Sequence, residues 1–455
     1  MTPPKPAART GRVSLWRYLR LFRADILSAQ PARLYRAWMA EFRTPFFRSY
    51  LCNDPALIQT VLKDRPGDFP KSDRVRAGLA PLLGRSVFVT NGAEWESQRR
   101  IIDPAFEGGR LKDSFPSMLA AADAAVARLR AGGIVEIEQA TSHAAADVIF
   151  RTLFSVPVED RDARDLYHRF RAYQRAQPLL NLRAFLAVAD RMPRLHCRRT
   201  LADAAATRAL IRSMTDRRAA EITAGTAPDD LATKIMTMRD PVTGKGFDAG
   251  QMVDQVAIFL LAGHETSASA LSWALYLLAT HGEWQDRVAK EAAAVFTEGE
   301  DFGAVAKLGT ARDVFRETLR LYPPVPMLVR EAACPVTFRG RRIAQGAQIV
   351  LSPWHLHRHE RLWERPDHFD PGRWTSEAGR VSARSAYLPF SAGPRVCPGA
   401  GFAMIEGPLI LSRLVAAFRF EPIGGDVPQP VAHLTVRSGT GIRLQVLQRR
   451  INYVG

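Results

Sequence analysis

Between residues 389 and 403 the chain reads PFSAGPRVCPGAGFA, with one cysteine inside a loop bounded by glycine and proline. Gly393 and Gly399 carry no Cβ and so let backbone approach a flat ligand closely. A helical pattern begins just past Cys397. Free N–H groups and the positive end of the helix dipole favour a thiolate there. Arg395 adds positive charge two residues away. A lone cysteine is usually a small buried hydrophobe, but these surroundings suit a thiolate ligand. Cys52, Cys197 and Cys334 form neither a CxxC pair nor a zinc spacing with it.

Three other groupings could do chemistry. Glu317 and Arg320 stand three residues apart, so on a helix they share a face and can pair. Glu265 and Thr266 interrupt a long apolar stretch, where polar groups cost free energy unless they are satisfied. The bland reading has Thr266 bonding the carbonyl four residues earlier and Glu265 at the surface. The functional reading makes the pair part of a reactive groove, with small Ala262 and Gly263 leaving room. Trp95 and Arg99 lie four apart on a third predicted helix and could meet an anion.

Phe390, Gly393, Arg395, Cys397 and Gly399 together match FxxGxRxCxG, and in this the chain resembles the cytochrome P450 family. The other groupings follow in the family's order, and the resemblance runs from at least Trp95 to the C-terminus. It implies a mainly α fold with small peripheral β-sheets, the cytochrome P450 fold, as a single domain over residues 1–455 with 1–30 flexible or amphipathic. It implies that Cys397 is the proximal iron ligand with Phe390 beside the sulfur. Arg373 would join Glu317 and Arg320 in a buried cluster that holds the loop beneath the haem. Thr266 would hold water and dioxygen, and Glu265 would deliver protons. Trp95, Arg99, Arg330 and Arg395 would meet the haem propionates. AGHETS and ETLRLYPPVP are typical of the group with bacterial fatty-acid hydroxylases and microsomal members. Some ω-hydroxylases bond haem covalently through a glutamate at the position of Ala262; alanine there implies non-covalent haem b.

The same resemblance implies a monooxygenase acting with O2 on an apolar substrate: fatty acid, terpenoid, steroid or aromatic. Ile258, Phe259, Ala262, Val325, Met327, Leu328, Val329, Leu434 and Val436 would line its pocket. Only 58 residues follow Cys397, too few for a fused reductase. Electrons would come from NAD(P)H through a ferredoxin or flavodoxin-type donor and a separate reductase. An acidic ferredoxin would dock near Arg99, Arg100 and Arg395. Alternatives on the same fold are peroxide-driven hydroxylation, rearrangement, or a haem sensor without turnover.

Certain elements must position these groups. Residues 248–281 predict one helix about 50 Å long, with VAIFLLAG running through the core. A second helix is predicted over 304–322, stopped by Pro323 and Pro324, within a region from 113 to 320 that reads helical throughout. VTFRGRRI and QIVLSPW read as strands, and HLTVRSGTGIRLQV as a hairpin turning at 438–441. Residues 13–27 predict a basic amphipathic helix, suited either to its own domain or to weak contact with an anionic membrane surface.

The 455 residues are 47% hydrophobic, ample for a large core. A net charge of +17 favours acidic partners, yet no nucleic-acid-binding module is present. Four cysteines make no disulfide framework. No apolar run reads as a bilayer span and no segment as a signal peptide. A cytoplasmic location is therefore expected.

Overall fold

A computed structural model describes the chain except residues 1, 12, 44–47, 108, 131, 177–196 and 450–455. The helices that shape the site are α1 (Leu15–Ala24), α2 (Gly92–Ile102), α3 (Gly109–Leu129), α4 (Ile137–Phe154), α5 (Ala249–Phe259), α6 (Glu265–Thr280), α7 (Gly309–Leu321) and α8 (Ala400–Ala417). Small sheets lie beside them. In one, β1 (Met39–Arg43) and β2 (Arg48–Cys52) are antiparallel. Strand β2 then runs parallel to β7 (Gln348–Leu351), which pairs antiparallel with β4 (Leu328–Glu331). The mainly α architecture with small separate sheets is the one expected.

The predicted 248–281 helix exists but is not continuous. Asp248 and Gln251 start α5 with a capping box, and α6 ends at Thr280. Between them Leu260–His264 form a π-turn, the kind of widened turn that often marks a functional site. Gly263 has a packing reason: a Cβ there would stand 2.2 Å from Ile149 Cδ1 of α4. Its missing side chain therefore lets α4 close on the turn, whereas Ala262 faces open space. Most of α6 is buried. Trp273 on it stacks on Tyr322 at 4.0 Å.

Other boundaries differ from expectation. The 304–322 helix is broken near Leu308 into Phe302–Lys307 and α7. The VTFRGRRI segment is the hairpin of β5 (Val336–Phe338) and β6 (Arg341–Ile343). The expected hairpin at 438–441 does not form. Instead β10 (Val436–Ser438) pairs with β9 (Pro430–Ala432), while β11 (Arg443–Gln448) joins β3 (Gly133–Glu136) and β8 (Phe418–Pro422). Helix α8, unlike the sequence reading, has the length and apolarity of a membrane span, but over half of it is buried in the protein. Residues 177–196 of the predicted helical region lie outside the described residues.

Helix α1 falls within the 13–27 segment, capped by Ser14, and the segment after it is tied to the far end of the chain. The Asp25 carboxylate accepts from Leu27 N at 3.1 Å, Ser28 N at 2.9 Å and Ala432 N at 2.8 Å. Ile26 N donates to Ala432 O at 3.0 Å. Ahead of α1, the Tyr322 hydroxyl donates to Pro4 O at 2.7 Å. Tyr18, Leu19 and Phe22 turn inward onto the wall of a central cavity.

Candidate active site

The cavity is about 440 Å³, and Cys397 lies on its wall. A 3-10 turn at Gly393–Arg395 leads to the cysteine, and α8 starts three residues beyond it. Cys397 N donates to Phe390 O at 2.9 Å, closing the loop on itself. One of the two loop glycines acts differently from expectation. Gly393 has φ +66°, and a Cβ on it would stand 1.9 Å from Leu62 O. It therefore admits neighbouring backbone, not a ligand. Gly399 borders the cavity. Cys397 is exposed to the cavity and otherwise enclosed by protein. Burial pushes its thiol up, opposed by the Gly399 N–H and by the charges of Arg99 and Lys71.

Beneath the loop, Glu317 and Arg320 are fully buried. Glu317 accepts from Arg320 Nε at 2.9 Å and Nη2 at 2.8 Å, from Asp370 N at 3.0 Å and from Arg373 Nε at 3.3 Å. Arg320 also donates to the carbonyls of His357 at 2.8 Å, Pro366 at 2.6 Å and His368 at 2.9 Å. His357 carries the link onward. Its Nε2 accepts from Leu388 N at 2.7 Å, so its Nδ1 carries the proton and donates to Arg320 O at 3.2 Å. Leu388 stands two residues before Phe390. A buried ion pair is thus wired to the cysteine loop through one neutral histidine.

Across the cavity, Ala262 and Thr266 line the wall beside the π-turn. The Thr266 hydroxyl donates to Ala262 O, the bond that the bland reading foresees. Glu265 matches neither reading. It is buried but does not border the cavity. Its carboxylate accepts from Gln174 Nε2 at 2.7 Å and from Thr435 and Arg437. An acid so engaged is an anchor for the 434–438 segment.

One wall is strongly cationic. Arg330, 5% exposed, donates to the carbonyl of the adjacent Val329 at 3.2 Å. Arg395 donates to Thr90 O at 3.2 Å and Asn91 Oδ1 at 2.8 Å and lies over Trp95, 4.1 Å from the ring centre. Burial pushes Arg330 and Arg395 each down to about 10, with Arg395 adding to the effect on Arg330 and Arg99 to that on Arg395. Lys71, which no motif in the sequence singles out, completes the group. It pairs with Asn91 through its backbone, and its ammonium donates to Phe88 O. Burial, then repulsion from Arg330, Arg395 and Arg99, holds it well below the usual lysine range. Among the described residues none of Lys71, Arg330 and Arg395 has a carboxylate partner. Such a cluster fits a ligand that brings two carboxylates of its own. Arg99 lines the same cavity but pairs with Asp103 at 2.7 Å and donates to Val396 O at 2.8 Å. Arg100 pairs with Asp240 at 2.6 Å. Those two, expected as a docking face, are held within the molecule.

Ile258, Phe259, Val325, Met327, Leu328, Val329 and Leu434 all line the cavity, as expected, and so does Phe390. Val436 does not. It is buried in β10, its N–H bonded to Pro324 O at 3.0 Å and its carbonyl to Ser269 Oγ at 2.6 Å. Phe88, Phe106, Val75 and Leu153 border the cavity without any signal in the sequence.

The profile of the family described as Cytochrome P450 matches residues 42–445. Cyclooctat-9-en-7-ol 5-monooxygenase of Streptomyces melanosporofaciens is 31% identical over 399 residues, 85% of this chain and 83% of that protein. Cytochrome P450 4A12B of Mus musculus is 30% identical over 404 residues, 83% and 77% of the two chains. The crystal structure of the cytochrome P450DA heme domain superposes with TM-score 0.82 at 24% identity, covering 99% of both chains, and shows the same fold. With the family profile matched over most of its length, this chain belongs to the cytochrome P450 family and is a haem-dependent monooxygenase.

Proposed function

We propose that the enzyme inserts one atom of O2 into a largely hydrocarbon alcohol, with Cys397 as the thiolate ligand of non-covalently held haem b. The observation that carries the reading is the shared wall. Cys397, the Lys71–Arg330–Arg395 cluster and Thr266 all border one cavity whose other lining is mainly aliphatic and aromatic. Haem ligated by thiolate supplies the electron push that favours O–O cleavage. The protein's part is to hold and orient. The cationic wall matches two propionates, and Ala262 offers a methyl group where an ester link would need a carboxylate. Phe88, Phe106 and Phe259 exclude water from the substrate side. The substrate class is supported by the name of the Streptomyces relative, cyclooctat-9-en-7-ol 5-monooxygenase.

Electrons come from a separate protein, for which we propose an acidic ferredoxin or flavodoxin-type donor on the face around the Cys397 loop. Lys63 Cα would stand 3.3 Å from a Cβ on Gly393, and Leu111, next to Lys112, would stand 3.0 Å from one on Gly401. Both lysines are exposed. A cytoplasmic location fits such a donor, with Trp16, Arg17 and Arg20 of α1 facing outward for weak contact with an anionic membrane.

A spectral titration of the ferric protein with a cyclic hydrocarbon alcohol, dodecanoic acid, a steroid and a planar aromatic tests the assignment. The alcohol should give the displacement shift at the lowest concentration. A response confined to the aromatic, or absent for all four, refutes it. A peroxide-driven reaction is the second reading, favoured by the engagement of Glu265 with Arg437. Turnover with hydrogen peroxide that exceeds turnover with O2 and donor would establish it.

A further inference from the structure

Most polar side chains on the cavity wall already have partners. Gln30 donates to Ile26 O at 3.1 Å, Thr152 donates to Val148 O at 2.7 Å, and Arg76 pairs with Asp73 at 3.0 Å. Three carry a buried polar atom without a partner among the described residues: Gln348 Oε1, Ser391 Oγ and Glu406 Oε1. Each stands near groups already described. Gln348 donates to Glu331, beside Arg330, at 2.9 Å. Ser391 belongs to the cysteine loop. Glu406, on α8, accepts from Ser267 Oγ at 2.7 Å.

His433 is set apart from all of these. It opens the tip between β9 and β10, and the backbone on both sides of it is clamped. Ala432, before it, donates to Asp25 and accepts from Ile26. After it, the Thr435 hydroxyl donates to Glu265, and Val436 is bonded to Pro324 and Ser269. His433 N itself donates to Thr435 O at 3.2 Å. The residue borders the cavity with Ile26, Pro324, Val325 and Leu434, and its ring makes no hydrogen bond among the described residues.

A polar group held this firmly in an apolar wall is pre-organised for a ligand that brings the matching group. Burial lowers the proton affinity of the ring, the Asp25 carboxylate opposes that effect and Arg437 adds to it. A neutral imidazole offers one N–H and one lone pair. A hydroxyl also donates and accepts, so it pairs with the ring in either tautomer. A carboxylate would find one N–H and no charge.

We propose that His433 is the polar anchor of the substrate pocket: its imidazole hydrogen-bonds the oxygen group of the substrate, a hydroxyl where the substrate is a hydrocarbon alcohol, and so fixes which carbon faces the iron. The choice of a hydroxyl rests on the alcohol reading above. The placing of an oxygen group at His433 does not.

Matched pairs of ligands test this by spectral titration of the ferric holoprotein: a cyclic hydrocarbon alcohol with its parent hydrocarbon, and dodecanoic acid with dodecane. His433→Phe keeps a flat ring and removes both nitrogens. His433→Leu serves the same comparison where the phenyl ring does not fit, and the CO band verifies that each variant is intact. Loss of the ring nitrogens should weaken the alcohol roughly tenfold relative to its hydrocarbon. His433→Gln, which still donates and accepts, should restore most of that preference. The alcohol should give one main hydroxylated product with the parent protein and several with His433→Phe, an effect that a purely structural role would not produce. Equal weakening of alcohol and hydrocarbon, or no weakening of either, overturns the anchor and leaves the alcohol reading standing. A preference that depends on His433 for the acid pair alone refutes the alcohol reading and leaves the anchor standing. A parent protein that responds to none of the four compounds refutes both.

Discussion

Replacing Glu317 by glutamine tests how far the buried ion cluster governs both stability and the cysteine loop. The change keeps the shape of the side chain and removes its charge. Four N–H groups point at the carboxylate, two from Arg320 and one each from Arg373 and Asp370. Glutamine offers one oxygen and turns an amide donor toward a guanidinium. Arg320, 0% exposed, is then left charged with no counter-ion. Removing one partner of such a buried pair costs about 3–5 kcal/mol, against a total stability of roughly 5–15 kcal/mol. At about 2 °C per kcal/mol, as for large domains, the melting temperature should fall by roughly 6–10 °C. The His357 link should carry the damage to Leu388 and so to the thiolate. Melting followed by far-ultraviolet circular dichroism, with the CO difference spectrum taken on the same samples, reads both effects. A melting temperature within about 2 °C of the parent, with the CO band unchanged, would refute the cluster as the support of the loop.

Three further outcomes are expected. Cys397→Ala should abolish the red-shifted CO band, whereas single replacements of Cys52, Cys197 and Cys334 should keep it; survival of the band in Cys397→Ala sinks the ligand assignment. Gly393→Ala places a Cβ against Leu62 O on a backbone with φ +66°, so haem content after purification should drop, and full haem loading would contradict the close approach. His264, His355 and His357 are held neutral by burial, which pushes each down to about 3. Because the unfolded chain takes up these protons first, their contribution is intact above about pH 6.5 and is lost as pH falls toward 3. Glu406, raised to about 8, works in the opposite sense and offsets one of them. The unfolding free energy from urea titrations should therefore fall by roughly 2–3 kcal/mol per pH unit between about pH 6 and 5, and a flat profile there would contradict their burial as neutral rings.

What the sequence made legible was local. The cysteine loop, the Glu317–Arg320 pair and the 248–281 helix are each written in spacings of a few residues, and each is found where expected. The partners that define the site's electrostatics come from afar. Arg437 reaches Glu265 across 172 residues, and nothing near Glu265 hints at that guanidinium. Lys71 stands in no pattern; only the fold brings it to Arg330 and Arg395. Glu406 reads as one polar residue in an apolar helix until Ser267 is seen opposite it. The misread hairpin at 438–441 has a similar cause. Turn-forming residues mark a change of direction, but tertiary pairing decided that the two arms enter different sheets. The family resemblance puts Val436 in the pocket beside Leu434, but the pairing of β9 with β10 buries it away from the cavity that Leu434 lines.

The tie between Asp25 and Ala432 sets a timetable for synthesis. At about 5–20 residues per second, the ribosome needs roughly 20–80 s to make the 407 residues that separate them. Through that interval α1 has left the exit tunnel while the strand that will clasp the segment behind it does not yet exist. Tyr18, Leu19 and Phe22 spend the interval without the wall they will later form. A segment made early is thus among the last to be secured, and a nascent chain of this protein presents a basic, aromatic-bearing segment to chaperones and lipid until that strand is made.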